Sequence, residues 1–145
     1  MDFQIAIDIS APVEVVWAVM VDVERWPEWT ASVRKVRRLG HGPLTVGQRA
    51  LILQPKLPPA VWRVTAIQAG RSFTWTSGAP GMRVVGHHAV EGGATSARAT
   101  LSLKFEGLLG GLLARMTSGI TRRYLSLEAE GLKRRSEGLG AHETR

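Results

Sequence analysis

Two adjacent histidines are the residues of this chain best suited to acid–base chemistry. His87 and His88 follow each other in a strand-like segment. Because successive side chains of a strand point to opposite faces, the two imidazoles are not placed to chelate one metal ion together. We predict that His88 faces inward, since it shares a face with Val84 and Val90. Imidazole titrates near neutral pH, so His88 is the candidate general acid or base.

An arginine near these histidines is the second candidate for chemistry. The Arg83 guanidinium offers a rigid fork of donors that could bind a carboxylate or polarise a carbonyl, and Arg49 and Arg63 share this ability. Each of the three also fits an exposed strand position. The sequence contains no cysteine, no Gly-x-Ser-x-Gly nucleophile elbow and no His-Glu-x-x-His metal motif. We therefore predict no metal and no cofactor, and catalysis stays open.

The elements that must position these residues are mainly β-strands. Residues 97–105 alternate apolar and polar side chains, which is typical of a strand with one face in the core. The strand before it, residues 83–91, is joined to it by a short glycine-containing turn, which favours a hairpin. One strand precedes the first helical segment and six follow it. The sequence therefore predicts an antiparallel sheet.

The pattern changes to helical spacing from about Leu108. Apolar residues then recur every three or four positions, as expected for one stripe of a long C-terminal helix. Glu128 and the arginines of this segment are predicted to occupy the opposite, solvated side. The glycines at 110, 111 and 119 weaken the helix near its start. The predicted stripe consists of Leu109, Leu113, Met116, Ile120, Tyr124 and Leu127.

The first thirty residues carry the most characteristic motif. An apolar strand over residues 3–9 leads into Ser10-Ala11-Pro12 and then into a helical pattern over residues 13–20. Ser10 is the predicted helix cap, and Pro12 suits the first helical turn. A second short segment, Asp22-x-x-x-Trp-Pro-x-Trp29, follows directly. A third characteristic segment consists of Gly92-Gly93-Ala94-Thr95 followed by residues 103–109.

These three segments resemble the SRPBCC superfamily of START-like and Bet v-like proteins, in particular its polyketide cyclase/dehydrase-like branch. The resemblance implies an α+β helix-grip fold. In that fold a seven-stranded antiparallel sheet curves around a long C-terminal helix, and two short helices follow the first strand. We expect one domain over residues 1–136 and a frayed tail over residues 137–145.

The resemblance also implies an apolar cavity between the sheet and the long helix. Trp26 and Trp29 correspond to a segment that lies near the cavity entrance in relatives, although both could equally fill the core. Strand alternation and helix phase provide the other candidates, each of which could also be an ordinary packing residue. The predicted lining comprises Trp26, Trp29, Trp62, Val64, Phe73, Trp75, Val84, His88, Val90, Leu101, Leu103, Leu109, Leu113, Met116 and Ile120.

The chain has a basic surface. Its 19 Lys and Arg against 12 Asp and Glu give a net charge of +7, which attracts anions. The sequence lacks a zinc finger or a phosphate-binding loop, so nucleic acid is not the partner we predict. No signal peptide is recognisable and no apolar run approaches the ~18 residues of a membrane span. We expect a cytoplasmic protein, with peripheral membrane contact left open.

Three functions follow from these observations. The first is binding of a hydrophobic or aromatic small molecule, such as a lipid or polyketide, in the cavity. The second is a polyketide cyclase or dehydratase in which His88, with Arg83, promotes enolisation, cyclisation or dehydration. The third is an interaction protein that uses its basic surface. Binding requires the fewest polar groups in a defined geometry and is the function we favour.

Overall fold

One antiparallel sheet of seven strands dominates the computed structural model, which describes residues 2–143. The strand order across the sheet is β1-β7-β6-β5-β4-β3-β2, so each strand from β2 onward lies beside the next one in sequence. The seven-stranded sheet predicted from the sequence is confirmed. The strands are β1 (Asp2–Ile9), β2 (Lys35–Arg38), β3 (Arg49–Leu53), β4 (Ala60–Gln68), β5 (Ser72–Ala79), β6 (Met82–Gly92) and β7 (Ala97–Glu106).

The first strand is held by the last one. Asp2 pairs with Lys104 and Ile9 pairs with Ala97, while β6 and β7 form the long predicted hairpin. Apolar side chains on the covered face of β1, β6 and β7 pack against the helices. The core therefore lies between one face of the sheet and the helical layer.

Two short helical elements follow β1, as the sequence predicts. Helix α1 spans Val13–Val21, and a 3₁₀ helix spans Val23–Glu28. The predicted Ser10 cap is wrong, because Pro12 occupies the cap position and makes no side-chain hydrogen bond to the helix. The Ser10 backbone N–H instead donates to Glu137 Oε2 over 2.8 Å.

The predicted single C-terminal helix is divided into two. Helix α2 spans Gly110–Met116, and helix α3 spans Ser118–Glu143. The hydroxyl of Thr117, between them, donates to the Leu113 carbonyl over 2.8 Å, a backbone contact that commonly bends a helix. The buried side of α3 is offset by about one residue from the predicted stripe. Its buried stripe runs through Thr121, Leu125, Ala129, Leu132 and Ser136.

Helix α3 continues into the segment predicted as a frayed tail. Residues 137–143 are helical, and Glu137 accepts hydrogen bonds from Ser10 and from the Lys133 ammonium. Residues 144 and 145 lie outside the described residues, and the domain limit at residue 136 stays a prediction. Across residues 2–143, no helix is both long enough and apolar enough to cross a membrane.

Candidate ligand cavity

A cavity of about 590 Å³ lies between the sheet and helices α2 and α3. Its walls come from strands β3 to β7, from the 3₁₀ helix, from α2 and the N-terminal half of α3, and from the loop that joins β3 to β4. Volumes of roughly 300–1,000 Å³ are typical of small-molecule sites. The cavity is therefore large enough for an organic ligand of moderate size.

Three tryptophans form an aromatic wall. The ring centroids of Trp26 and Trp75 are 5.3 Å apart, and those of Trp62 and Trp75 are 5.8 Å apart. Gly86 of β6 makes room for this wall, because a Cβ at that position would lie 3.1 Å from the Trp75 indole. Rings at such distances stabilise one another beyond the effect of burial alone.

His88 lies against this aromatic wall. The residue is 6% exposed, and its ring stacks on Phe73 with centroids 4.5 Å apart and planes 3° from parallel. The Trp26 and Trp75 rings lie 5.2 and 5.8 Å from it. The alternation of β6 thus directs His88 to the covered face, and the structure places the ring in the cavity wall.

The polar partner of His88 is Glu128. His88 Nε2 lies 2.9 Å from Glu128 Oε1, and the glutamate side chain is 15% exposed. Among the described residues, the buried His88 Nδ1 has no hydrogen-bond partner. A neutral ring that carries its proton on Nε2 donates that proton to Glu128 and has no proton on Nδ1. The buried Nδ1 then needs no hydrogen-bond acceptor. The assigned arrangement is a neutral imidazole that donates to a carboxylate.

The prediction that Glu128 lies on the solvated side of the helix is wrong. The buried face of α3 runs through Thr121, Leu125 and Leu132, one position beyond the predicted stripe at Ile120 and Tyr124, and Glu128 lies on that face. Glu128 then reaches His88 across the cavity. A glutamate among other charged residues carries no sequence signal of this orientation.

The second histidine faces away from the cavity, as strand alternation predicts. His87 Nδ1 lies 2.7 Å from the Thr74 hydroxyl on the neighbouring strand. Burial of the ring, and secondarily its electrostatic interaction with the neighbouring His88, lowers the pKa of His87 below its ordinary value. The adjacent histidines therefore occupy two different environments on opposite faces of one strand.

The structure does not bring Arg83 to His88. Arg83 lies on the outer face of β6, where its guanidinium is 3.6 Å from the Glu106 carboxylate and 61% of the side chain is exposed. The reason is strand alternation, since residues 83 and 88 point to opposite faces. Arg49 and Arg63 are also exposed and lie opposite each other in the β3–β4 register. None of the three lines the cavity.

The residues predicted to line the cavity divide into two groups. Those in the cavity wall are Trp26, Trp62, Trp75, Val84, His88, Leu101, Leu103, Leu113 and Ile120. Those placed elsewhere are Trp29, Val64, Phe73 and Val90, which are buried in the core, and Leu109 and Met116, which are exposed on α2. The short helix α2 turns Met116 outward, and 75% of that residue is exposed.

The predicted lining omitted the β3–β4 loop and two residues of α3, Tyr124 and Glu128. The loop supplies Leu57, Pro58 and Pro59 to the wall, and α3 adds Tyr124 beside Glu128. The Tyr124 hydroxyl donates to the Pro55 carbonyl, which ties the helix to the loop. The proline cluster indicated a loop, but nothing in it indicated a position above the cavity.

No metal site accompanies the cavity. Across the described part of the chain, no group of three or more His, Cys, Asp or Glu residues could hold a metal ion. The cavity wall offers apolar contacts, aromatic contacts and the His88–Glu128 pair.

Comparison with protein families gives one match over most of the chain. The model for "Polyketide cyclase / dehydrase and lipid transport" proteins matches residues 1–137. No curated protein matches the sequence significantly.

Solved structures share the fold at low sequence identity. A Thermus thermophilus protein has a TM-score of 0.75 at 16% identity over 96% of this chain and 99% of its own. A START superfamily protein from Mycobacterium smegmatis has a TM-score of 0.72 at 14% identity, with 95% and 98% covered. The Zhui aromatase/cyclase from Streptomyces sp. R1128 has a TM-score of 0.69 at 15% identity, with 100% and 96% covered. At these identities the likeness shows the helix-grip fold alone.

Proposed function

Since the chain belongs to the polyketide cyclase/dehydrase and lipid transport family, we propose that it binds a hydrophobic or aromatic small molecule between the sheet and helix α3. The observation that carries this proposal is the cavity of about 590 Å³. Packed interiors leave few voids larger than a water molecule. A space of this size in the middle of the fold is better explained by a ligand than by imperfect packing.

The composition of the wall supports an apolar occupant. Three indoles, Leu101, Leu103 and other aliphatic side chains surround the space, and few polar groups interrupt them. Transfer of a ligand into such a site removes apolar surface of both partners from water, which favours binding by about 25 cal/mol per Å² before the opposing entropy is counted. The polar groups then set the orientation of the ligand.

Native mass spectrometry of the purified protein, followed by displacement of the neutral dye N-phenyl-1-naphthylamine, tests this function. The variant Ser77→Phe places a ring in the cavity wall and is expected to weaken dye binding by about tenfold, equivalent to about 1.4 kcal/mol. Thr76→Phe, on the opposite face of β5, is the matched control and should bind the dye as the parent does. Equal weakening in both variants, or no dye binding by the parent, would contradict a cavity site.

A second candidate function is catalysis, and the His88–Glu128 contact of 2.9 Å favours it. An acid–base pair in an apolar wall is suited to enolisation of a ketone. The Glu128 carboxylate would take a proton from the carbon next to a carbonyl, and the enolate would attack a second carbonyl of the same ligand. The new alkoxide would recover the proton, and loss of water would follow. Arg83 has no part in this reaction.

Turnover of a linear triketone by the parent and two variants tests the catalytic function. Glu128→Gln keeps an acceptor for His88 but removes the base, so cyclisation should fall by about 100-fold or more while binding persists. His88→Ala should also reduce turnover, because the carboxylate loses the group that orients it. Cyclisation at the same rate in the parent and in Glu128→Gln would rule out the pair as the catalyst.

A further inference from the structure

The charge of the cavity wall is opposite in sign to that of the protein. Glu128 is an acid in the lining, and no Lys or Arg contributes to the wall in the described range 2–143, although the chain carries a net charge of +7. His88 donates to Glu128 as a neutral ring in the assigned arrangement. The site therefore presents one carboxylate without a cationic partner.

Several hydrogen-bond donors of the wall are already engaged by the protein backbone. The Tyr124 hydroxyl donates to the Pro55 carbonyl, and the Thr117 hydroxyl donates to Leu113 over 2.8 Å. The Gln54 amide donates to the Ser32 carbonyl over 3.2 Å. By contrast, His88 is the hydrogen-bonding partner of Glu128 among residues 2–143, and it contacts Oε1. The best remaining acceptor for a ligand is therefore the Glu128 carboxylate.

The aromatic wall also favours a positively charged ligand. The negative faces of Trp26, Trp62 and Trp75 attract cations, and the attraction is strongest where water is excluded. Trp26 and Trp75 both flank the His88 ring that holds Glu128. A cation near Glu128 therefore has a carboxylate and indole rings in its surroundings.

From this arrangement we propose that the cavity selects apolar or aromatic ligands that carry a protonated amine, whose ammonium binds Glu128. The inference rests on the proposed binding function and specifies its ligand class. A buried charge is costly unless it is paired, and an ammonium provides the partner that the wall lacks. A ligand carboxylate would meet a like charge in the same space and is disfavoured.

Three ligands of similar shape test the proposal by isothermal titration calorimetry on the full chain. They are 2-(1-naphthyl)ethylamine, the corresponding neutral alcohol and 3-(1-naphthyl)propanoate. The amine is expected to bind about tenfold more tightly than the alcohol, and the propanoate is expected to bind more weakly than both. Equal affinity for the amine and the alcohol, or preference for the propanoate, would overturn the inference.

Two charge-matched variants locate the effect. Glu128→Gln should bring the affinity for the amine to that for the alcohol, both measured on the same variant. Glu130→Gln removes the same charge from an exposed position on α3 and should keep the preference for the amine. Loss of the preference in both variants would assign it to net charge and overturn the proposed contact. If Glu128→Gln does not fold, the three-ligand comparison on the parent chain still decides.

The controls separate this inference from the function on which it rests. Binding of the neutral alcohol and of N-phenyl-1-naphthylamine without any amine preference leaves the cavity function intact and refutes only the amine specificity. Failure of every naphthyl ligand and of the dye to bind refutes the cavity function, and the amine specificity with it.

Discussion

The two ends of helix α3 face the same sheet in different ways. Toward its C-terminal end the helix packs closely, with Ala129, Leu132 and Ser136 almost completely buried. Toward its N-terminal end, Ile120 and Tyr124 border the open cavity. Glu128 lies between the two regions.

Small residues explain the difference. At the packed end, Gly131 lets α3 approach the 3₁₀ helix so closely that a Cβ would lie 2.0 Å from the Trp29 carbonyl oxygen. A Cβ at position 140 would likewise lie only 3.3 Å from the Cβ of Ala11. At the open end, the larger side chains of Ile120 and Tyr124 lie between the helix and the cavity. One helix can thus stabilise the fold at one end and leave space for a ligand at the other.

Truncation of one leucine in the packed end of α3 and of another in helix α2, beside the open end of α3, should show the largest contrast. Leu132→Ala removes a side chain that is 1% exposed and leaves a void in the packed end, so the free energy of unfolding should fall by about 4 kcal/mol. Leu113→Ala enlarges a space that already exists and should lower it by only about 1 kcal/mol. Urea denaturation measures both, and similar losses would mean that the two ends are packed alike.

Addition of one methyl group tests the close approach directly. Gly131→Ala forces the helix away from the Trp29 carbonyl and should reduce the free energy of unfolding by about 3 kcal/mol. Gly138→Ala, in the same helix, meets nothing within 4 Å and should be stabilising by up to about 1 kcal/mol through helix propensity. Thermal unfolding followed by circular dichroism distinguishes them. A stabilising Gly131→Ala would show that the packed end tolerates more separation than the structure indicates.

The smallest expected effect lies on the outer face of β6, behind the cavity. Since burial lowers the pKa of His87 from 6.5, the unfolded chain binds a proton that the folded ring does not, and stability falls as the pH drops below about 6.5. Glu137, whose pKa is lowered from 4.5 mainly by its hydrogen bond to Lys133, loses its contribution only at more acidic pH.

Melting temperatures at pH 7.5 and 5.5 measure the His87 contribution. His87→Asn should reduce the difference between the two temperatures, because the titrating ring is gone while a side chain that can pair with Thr74 remains. An unchanged difference would assign the pH dependence to other groups.

The face on which each strand residue lies was predictable from the sequence, because side chains alternate between the two faces wherever the strand begins. The alternation of β6 placed His88 and Val84 on the covered face, where the structure has them in the cavity wall. The same rule excludes Arg83 from that face, and its predicted role rested on guanidinium chemistry rather than on its position in the strand.

Helix phase was less predictable, because the side of the helices that faces the sheet carries small and polar residues such as Ala114, Thr121 and Glu128. The apolar stripe from Leu109 to Leu127 lies about one position off that side, so Leu109 and Met116 were expected inside and are exposed. Glu128 was expected outside and is the polar partner of His88. The direction of a glutamate depends on the contacts that the folded helix makes, and these involve residues forty positions away along the chain.

The pairing of β1 with β7 determines when the protein can fold. Asp2 meets Lys104 in the register, so during synthesis β1 lacks its partner until about a hundred further residues have been made. Helix α3, which covers β1, is completed later still. Contacts so distant in sequence slow the search for the native state. Until β7 is made, the paired edge of β1 is an exposed strand edge that other chains could join.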